Sequence, residues 1–202
     1  MFRLRTRDQT VITDPYGKSM GFPPRKLPAD IVSISHDHDG HNNLLAIKGE
    51  PYVVKGPGEY EIRDVFIIGV QTFHDDQTGS QLGSNVGYVF LMDDLAVCHL
   101  GDIGGKLSQA QVEDFGDIDV LLIPISGRTT VPIADVSEII NQLDPRIVVP
   151  MHYRLNGGPE PETLEKFLAE MGAGHPEPLD DLKVSGNRLP DERQLVVLKP
   201  RP

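Results

Sequence analysis

Ser35-His36-Asp37-His38-Asp39-Gly40-His41 follows directly on the apolar run Ile31-Val32-Ser33-Ile34 and gathers three of the chain's seven histidines into six positions. A short run of Ile and Val that ends in a polar, glycine-containing stretch reads as a strand passing into a loop. Neutral imidazole is a good ligand for zinc and similar ions. Side chains two residues apart share one face of an extended segment, so His36 and His38 are placed to reach one ion at about 2.0 to 2.1 Å. His41, past the bend, points to a neighbouring position. The competing reading is a solvated polar loop, and the three histidines with acids between them weigh against it.

The same placement recurs further out. His74 follows Gly69-Val70-Gln71-Thr72-Phe73, Asp102 follows Val97-Cys98-His99-Leu100-Gly101, and His152 follows Val148-Val149-Pro150-Met151. Strand ends in sheet-based folds form one rim, where residues distant in sequence converge on a ligand. Each of the three, taken alone, also reads as a satisfied histidine or a turn aspartate. Together they point to a shared site.

The surrounding pattern supplies the strands. Thr10-Val11-Ile12-Thr13, Tyr52-Val53-Val54, Val65-Phe66-Ile67-Ile68 and Tyr88-Val89-Phe90-Leu91 are short apolar runs bounded by turn residues. Arg7-Asp8-Gln9 and Met92-Asp93-Asp94 read as hairpin turns, the second leading into Leu95-Ala96-Val97-Cys98. The period then changes. Val136, Ile139, Ile140 and Leu143 fall at helical spacing, as do Leu164, Phe167, Leu168 and Met171, with Pro161 and Gly172 as start and stop signals for the later helix. Ser108 and Gln111 form a capping box that opens a shorter helix. Val120-Leu121-Leu122-Ile123-Pro124 and Arg146-Ile147-Val148-Val149-Pro150 read as strands buried on both faces. This order predicts sheets covered by helices, with an irregular surface segment over 170–193.

Composition narrows the function. With 202 residues, 39% hydrophobic and 24% charged, the chain is expected to form one domain over 1–202. It has no run of about 18 apolar residues and no signal-like start, which predicts a soluble cytoplasmic protein without a membrane partner. A single cysteine, Cys98, builds neither an internal disulfide nor a cysteine-rich zinc site, so any metal falls to histidine and carboxylate. A net charge of -11 and the absence of Trp argue against a nucleic-acid partner.

The loop at 35–43 resembles the His-x-His-x-Asp-His signature of metallo-β-lactamase-fold proteins, in particular the small bacterial metal-dependent hydrolases akin to ascorbate phosphate lactonases. Thr13-Asp14-Pro15-Tyr16, Phe73-His74-Asp75, His99-Leu100-Gly101-Asp102 and Pro150-Met151-His152-Tyr153 follow the family's order and spacing, over about residues 2 to 155. The resemblance implies an α/β fold, a four-layer αββα sandwich. It implies that His36, His38 and His74 bind a first metal, that His41 and His152 serve a second, and that Asp102 bridges the two. Asp14 resembles a buried carboxylate that fixes a ligand, although before Pro15 it also reads as a turn cap. His99 reads as a core histidine and His175 as a solvated one.

Two positions depart from the family. A Gly-His segment usually precedes the match to Phe2-Arg3-Leu4, and the signature's aspartate falls at Gly40. Asp39 is the catalytic and ligand replacement if the chain bends there, which a glycine at positive φ permits. Otherwise the second metal position is weak. The implied activity is metal-dependent hydrolysis of a small ester, lactone or phosphoester by metal-generated hydroxide, with Asp39 and Asp102 as catalytic carboxylates. Zinc is the expected ion, one or two per chain, with Mn2+ or Fe2+ as alternatives. The competing reading is a catalytically impaired member acting as a sensor or interaction module.

Overall fold

The computed structural model describes residues 1–17, 26–127, 129–153 and 163–201. Two sheets face each other. The smaller has the order β1-β2-β4-β6, built from β1 (Phe2–Arg5), β2 (Thr10–Thr13), β4 (Ile31–Ile34) and β6 (Tyr52–Lys55). The larger runs β13-β12-β11-β10-β9-β8-β7. Its strands are β7 (Gly58–Ile62), β8 (Val65–Phe73), β9 (Ser84–Met92), β10 (Leu95–His99), β11 (Val120–Pro124), β12 (Ile147–Met151) and β13 (Gln194–Leu195). A two-stranded ladder, β3 (Leu27–Pro28) with β5 (Ile47–Lys48), stands apart.

Period-two alternation splits the large sheet's side chains between two cores. Along β9, Val86, Tyr88, Phe90 and Met92 face inward to meet Val11, Ile31 and Val54 of the small sheet, while Val89 joins the outer core. Leu121, Ile123 and Val148 likewise pack outward against the helices, and Val120, Leu122 and Val149 pack inward. Where the small sheet stops, Leu182, Val184 and Leu189 of the irregular segment cover that inner face. The continuous apolar runs at 120–124 and 147–151 are the consequence of burial on both sides.

The helices α1 (Gln109–Phe115), α2 (Ile133–Leu143) and α3 (Thr163–Glu170) place Phe115, Val136, Ile139, Ile140, Phe167 and Leu168 in the outer core. The capping box at Ser108 is formed as expected. Gly172 takes φ +62 and Ala173 N–H donates to Leu168 O at 2.9 Å, closing α3. Pro161 lies outside the described residues. All three helices cover the large sheet. Among the described residues no α-helix lies outside the small sheet: Ile12, Val32 and Ile34 pack against Leu27, Ala29 and Ile47 around the β3-β5 ladder, which a 3-10 turn at Leu44–Ala46 enters.

Direction positions the site. β8 and β9 are antiparallel, as are β9 and β10, and β10, β11 and β12 are parallel, so β8, β10 and β12 end on the same rim. β2 and β4 are parallel and end together in the small sheet. Tyr88 ties the rims: its hydroxyl donates to Ile34 O at 3.1 Å, and Val86 N–H donates to Ser35 O at 2.9 Å.

The large sheet's outer core should dominate stability. Phe115 is 1% exposed, and Phe115→Ala should cost about 3–5 kcal/mol in urea unfolding. Tyr52→Ala, at a residue 58% exposed on the edge strand, should change stability by about 0.5 kcal/mol or less. Equal effects of the two would contradict this assignment of the core.

Candidate metal centre

Five strand ends supply the site. Asp14 follows β2, the loop 35–41 follows β4, His74 follows β8, Asp102 lies beyond β10 and His152 follows β12. Asp14 and His152 adopt φ +46 and +56, a region that L residues enter at a cost of about 1–3 kcal/mol and that clusters at functional sites. Both strained residues carry side chains of the site.

Asp102 is the focus. Its Oδ2 lies 3.2 Å from His152 Nε2, 3.3 Å from His41 Nε2 and 3.5 Å from His74 Nε2. Three groups of mutually close donors result: His36, His74 and Asp102; His41, Asp102 and His152; and His36, His38 and His41. Every expected ligand falls in at least one of them. His38 and His74, expected on one ion with His36, do not share a group. The loop explains this. His38 N–H donates to His36 O and His41 N–H to His38 O, so the chain curls after Ser35 and the extended alternation ends. His38 therefore turns outward and stacks on His36 with ring centroids 5.7 Å apart.

Asp14 organises the imidazoles. Its carboxylate accepts from Ser35 N–H at 2.8 Å and Ser35 Oγ–H at 2.6 Å, and it pairs with His41 Nδ1 at 2.9 Å. His41 Nδ1 thus donates to Asp14, and Nε2 faces Asp102 Oδ2. Because the Ser35 hydroxyl gives its hydrogen to Asp14, it accepts from His36 Nδ1 at 3.0 Å and leaves His36 Nε2 free. Asp14 therefore fixes the Ser35 and His41 side chains, the role expected of a supporting carboxylate, and is more than a turn cap. The Ser35 role had no sequence signal beyond adjacency to His36.

Electrostatics follow from burial and pairing. Burial opposes ionisation of Asp102, but hydrogen bonds from His152 and His41 outweigh it and hold its pKa far below the usual carboxylate range. Burial also works against Asp14, yet the hydrogen bond and charge of His41, with His99 and the Ser35 hydroxyl beside it, bring the carboxyl down to about 2. Burial lowers His41, but Asp102 and Asp14 reverse that and lift it to about 9. Burial, with His41 beside it, pushes His36 down to about 4.

The donor set suits a divalent cation. Asp102 Oδ1, His36 Nε2 and His74 Nδ1 are buried and have no hydrogen-bond partner among the described residues, a state that costs about 1–3 kcal/mol per group unless a ligand satisfies it. Neutral imidazole and carboxylate are the ligands that zinc and similar ions take.

The remaining candidates fall outside. Asp39 is exposed and in none of the donor groups; its carbonyl accepts from Gly17 N–H, and its carboxylate oxygens lie 3.6 Å from where a Gly17 Cβ would stand. Gly40 is buried and is not among the described residues with positive φ, so the bend expected to swing Asp39 inward is not the one formed. His99 is a core histidine in edge contact with Phe2, and His175 is exposed. Asp75, beside His74, is a residue that motif reading left without a role. Its carboxylate accepts from the N–H groups of Gln77, Gly79, Gln81 and Leu82 at 2.7 to 2.9 Å, which draws its pKa down to about 2 and folds the following loop around it.

Comparison with known proteins places the chain in a family. The sequence profile described as the beta-lactamase superfamily domain matches residues 1–152. A UPF0173 metal-dependent hydrolase of Pyrococcus horikoshii is 38% identical over 98 residues, which span 48% of this chain and 44% of that protein. One from Pyrococcus abyssi is 33% identical over 170 residues, 81% of this chain and 75% of that protein. A solved Thermotoga maritima structure, described as a Zn-dependent hydrolase of the metallo-beta-lactamase superfamily, is 33% identical with a TM-score of 0.75, covering 98% of this chain and 93% of that one. The strand-end histidines, the shared carboxylate and these relatives converge: the chain belongs to the beta-lactamase superfamily and, within it, to the UPF0173 metal-dependent hydrolase family.

Proposed function

We propose that this chain hydrolyses a small ester, lactone or phosphoester with one or two divalent ions held by His36, His38, His41, His74, Asp102 and His152. The observation that carries the reading is the Asp102 carboxylate, whose Oδ2 stands within 3.5 Å of imidazoles from three separate strand ends. An ion bound there supplies Lewis acidity and a source of hydroxide at neutral pH. Zinc is the first choice, supported by the description of the Thermotoga maritima protein, and Mn2+ or Fe2+ are compatible with the same ligands.

The chain's own residues do the rest. Asp14 and Ser35 hold the Nδ1 protons of His41 and His36, which aims both Nε2 atoms into the cluster; an ion bound there would displace the Nε2 proton of His41. Asp102 contributes negative charge to both groups that contain it. His41, His74 and Asp102 are buried, whereas His38 is exposed and His152 half-buried, so substrate approaches from the side of those two. The resemblance to ascorbate phosphate lactonases makes phosphorylated lactones the first substrates to try.

Gly40 favours a second reading. With no carboxylate at that position, and with Asp39 directed toward Gly17, the chain lacks the acid that would ligate an ion and give a proton to the leaving group. A member impaired in this way would bind metal without turnover.

A panel of lactones, phosphodiesters and thioesters should be hydrolysed by zinc-, manganese- or iron-loaded protein and not by chelated protein, with Asp102→Asn losing at least about 100-fold. Binding of metal with no turnover on any of them would favour the sensor reading. Under that outcome Gly40→Asp should raise metal stoichiometry and restore hydrolysis. Asp39→Ala should leave stoichiometry unchanged; a fall from two ions to one would make Asp39 the replacement ligand.

A further inference from the structure

Asn85 is 0% exposed in the interior of β9, where a buried amide is disfavoured unless its hydrogen bonds are met. Here they are met by the turn that carries Asp102. Asn85 Nδ2 donates to Leu100 O at 2.8 Å, and Asn85 Oδ1 accepts from Asp102 N–H at 2.9 Å. The second Nδ2 hydrogen goes to Thr72 Oγ1 at 2.6 Å, on β8 two residues before His74. One planar amide therefore grips the carbonyl entering the turn and the amide leaving it. Gly101, between them, takes φ +59, and a Cβ there would stand 2.4 Å from Asn85 Oδ1 and 2.6 Å from Ser35 Cβ. Glycine is what lets the clamp and the His36 loop close on the same turn.

We propose that Asn85 is the positioning residue for the shared carboxylate: it fixes the backbone of 100–102 and so aims Asp102, while touching no ion itself. Packing alone does not explain it, because an apolar residue of the same size would fill the space without burying an amide. The inference rests on the metal-binding reading above. Its effect should therefore appear only in sites that use Asp102.

The test is Zn2+ titration against a chromophoric chelator, with folding checked by circular dichroism. Asn85→Leu should weaken Zn2+ binding about 10- to 100-fold, the range typical of residues that orient ligands. Thr72→Val, which removes only one of the amide's partners, should weaken it about three- to tenfold and serves if Asn85→Leu does not fold. Asp102→Ala leaves the group His36, His38 and His41 for one ion, and adding Asn85→Leu or Thr72→Val to it should change that remaining affinity by no more than about twofold. Wild-type affinity in both Asn85→Leu and Thr72→Val overturns this inference alone. Equal losses with and without Asp102 also overturn it, since Asn85 would then act on the fold at large. If Asp102→Ala itself binds two ions as tightly as the wild type, the metal centre proposed above fails and this inference with it.

Discussion

A carboxylate taken out of water loses several kcal/mol of solvation unless donors or cations surround it, and Asp102 is 3% exposed. Its compensation comes from His41, His74 and His152, which arrive from three separate strand ends. None of these imidazoles is near Asp102 in sequence, so the compensation exists only when both sheets are in place. The site thereby depends on the fold as a whole. In return the fold carries local costs, among them the positive φ of Asp14 and His152.

The sandwich makes the convergence possible through strand direction more than through any single contact. β8, β10 and β12 end on the same rim because two antiparallel steps and two parallel steps restore one direction. The parallel steps need crossovers, and α1 and α2 supply them while covering the outer core. The small sheet then brings Asp14 and the loop 35–41 to this rim, held to β9 by Tyr88 and by the Val86–Ser35 backbone bond. Two layers of candidate ligands, one from each sheet, meet with Asp14 and Asp102 on either side of His41.

Much of this was legible in the sequence because burial on both faces leaves continuous apolar runs. The run at 120–124 fell where expected, as did the face of α2, and the one read over 146–150 forms β12 one residue later, at Ile147–Met151. β7 escaped because Gly58-Glu59-Tyr60-Glu61-Ile62 is an edge strand whose identity comes from pairing with β8 and not from its own pattern. β8 and β9 proved longer than their apolar cores for the same reason, since their register carries pairing through Gly69, Gln71 and Ser84. Among the site residues, the position of His74, Asp102 and His152 after apolar runs was informative. The grouping of His38 with His74 was not, because alternation places His38 only while the chain stays extended and the backbone curls after Ser35, leaving His38 in a group with His36 and His41. Asn85 gave no warning: a polar residue inside a strand pattern has many explanations until its partners are known.

The central claim is that Asp102 belongs to two metal positions at once, one with His36 and His74 and one with His41 and His152. Anomalous diffraction from crystals of the protein loaded with Zn2+ tests it most directly, because it locates each ion independently of activity. The account predicts anomalous peaks bonded to Asp102, one flanked by His36 and His74 and, when the second position fills, one flanked by His41 and His152. Zinc peaks that involve neither Asp102 nor His152, or none on this rim at saturating metal, would contradict it.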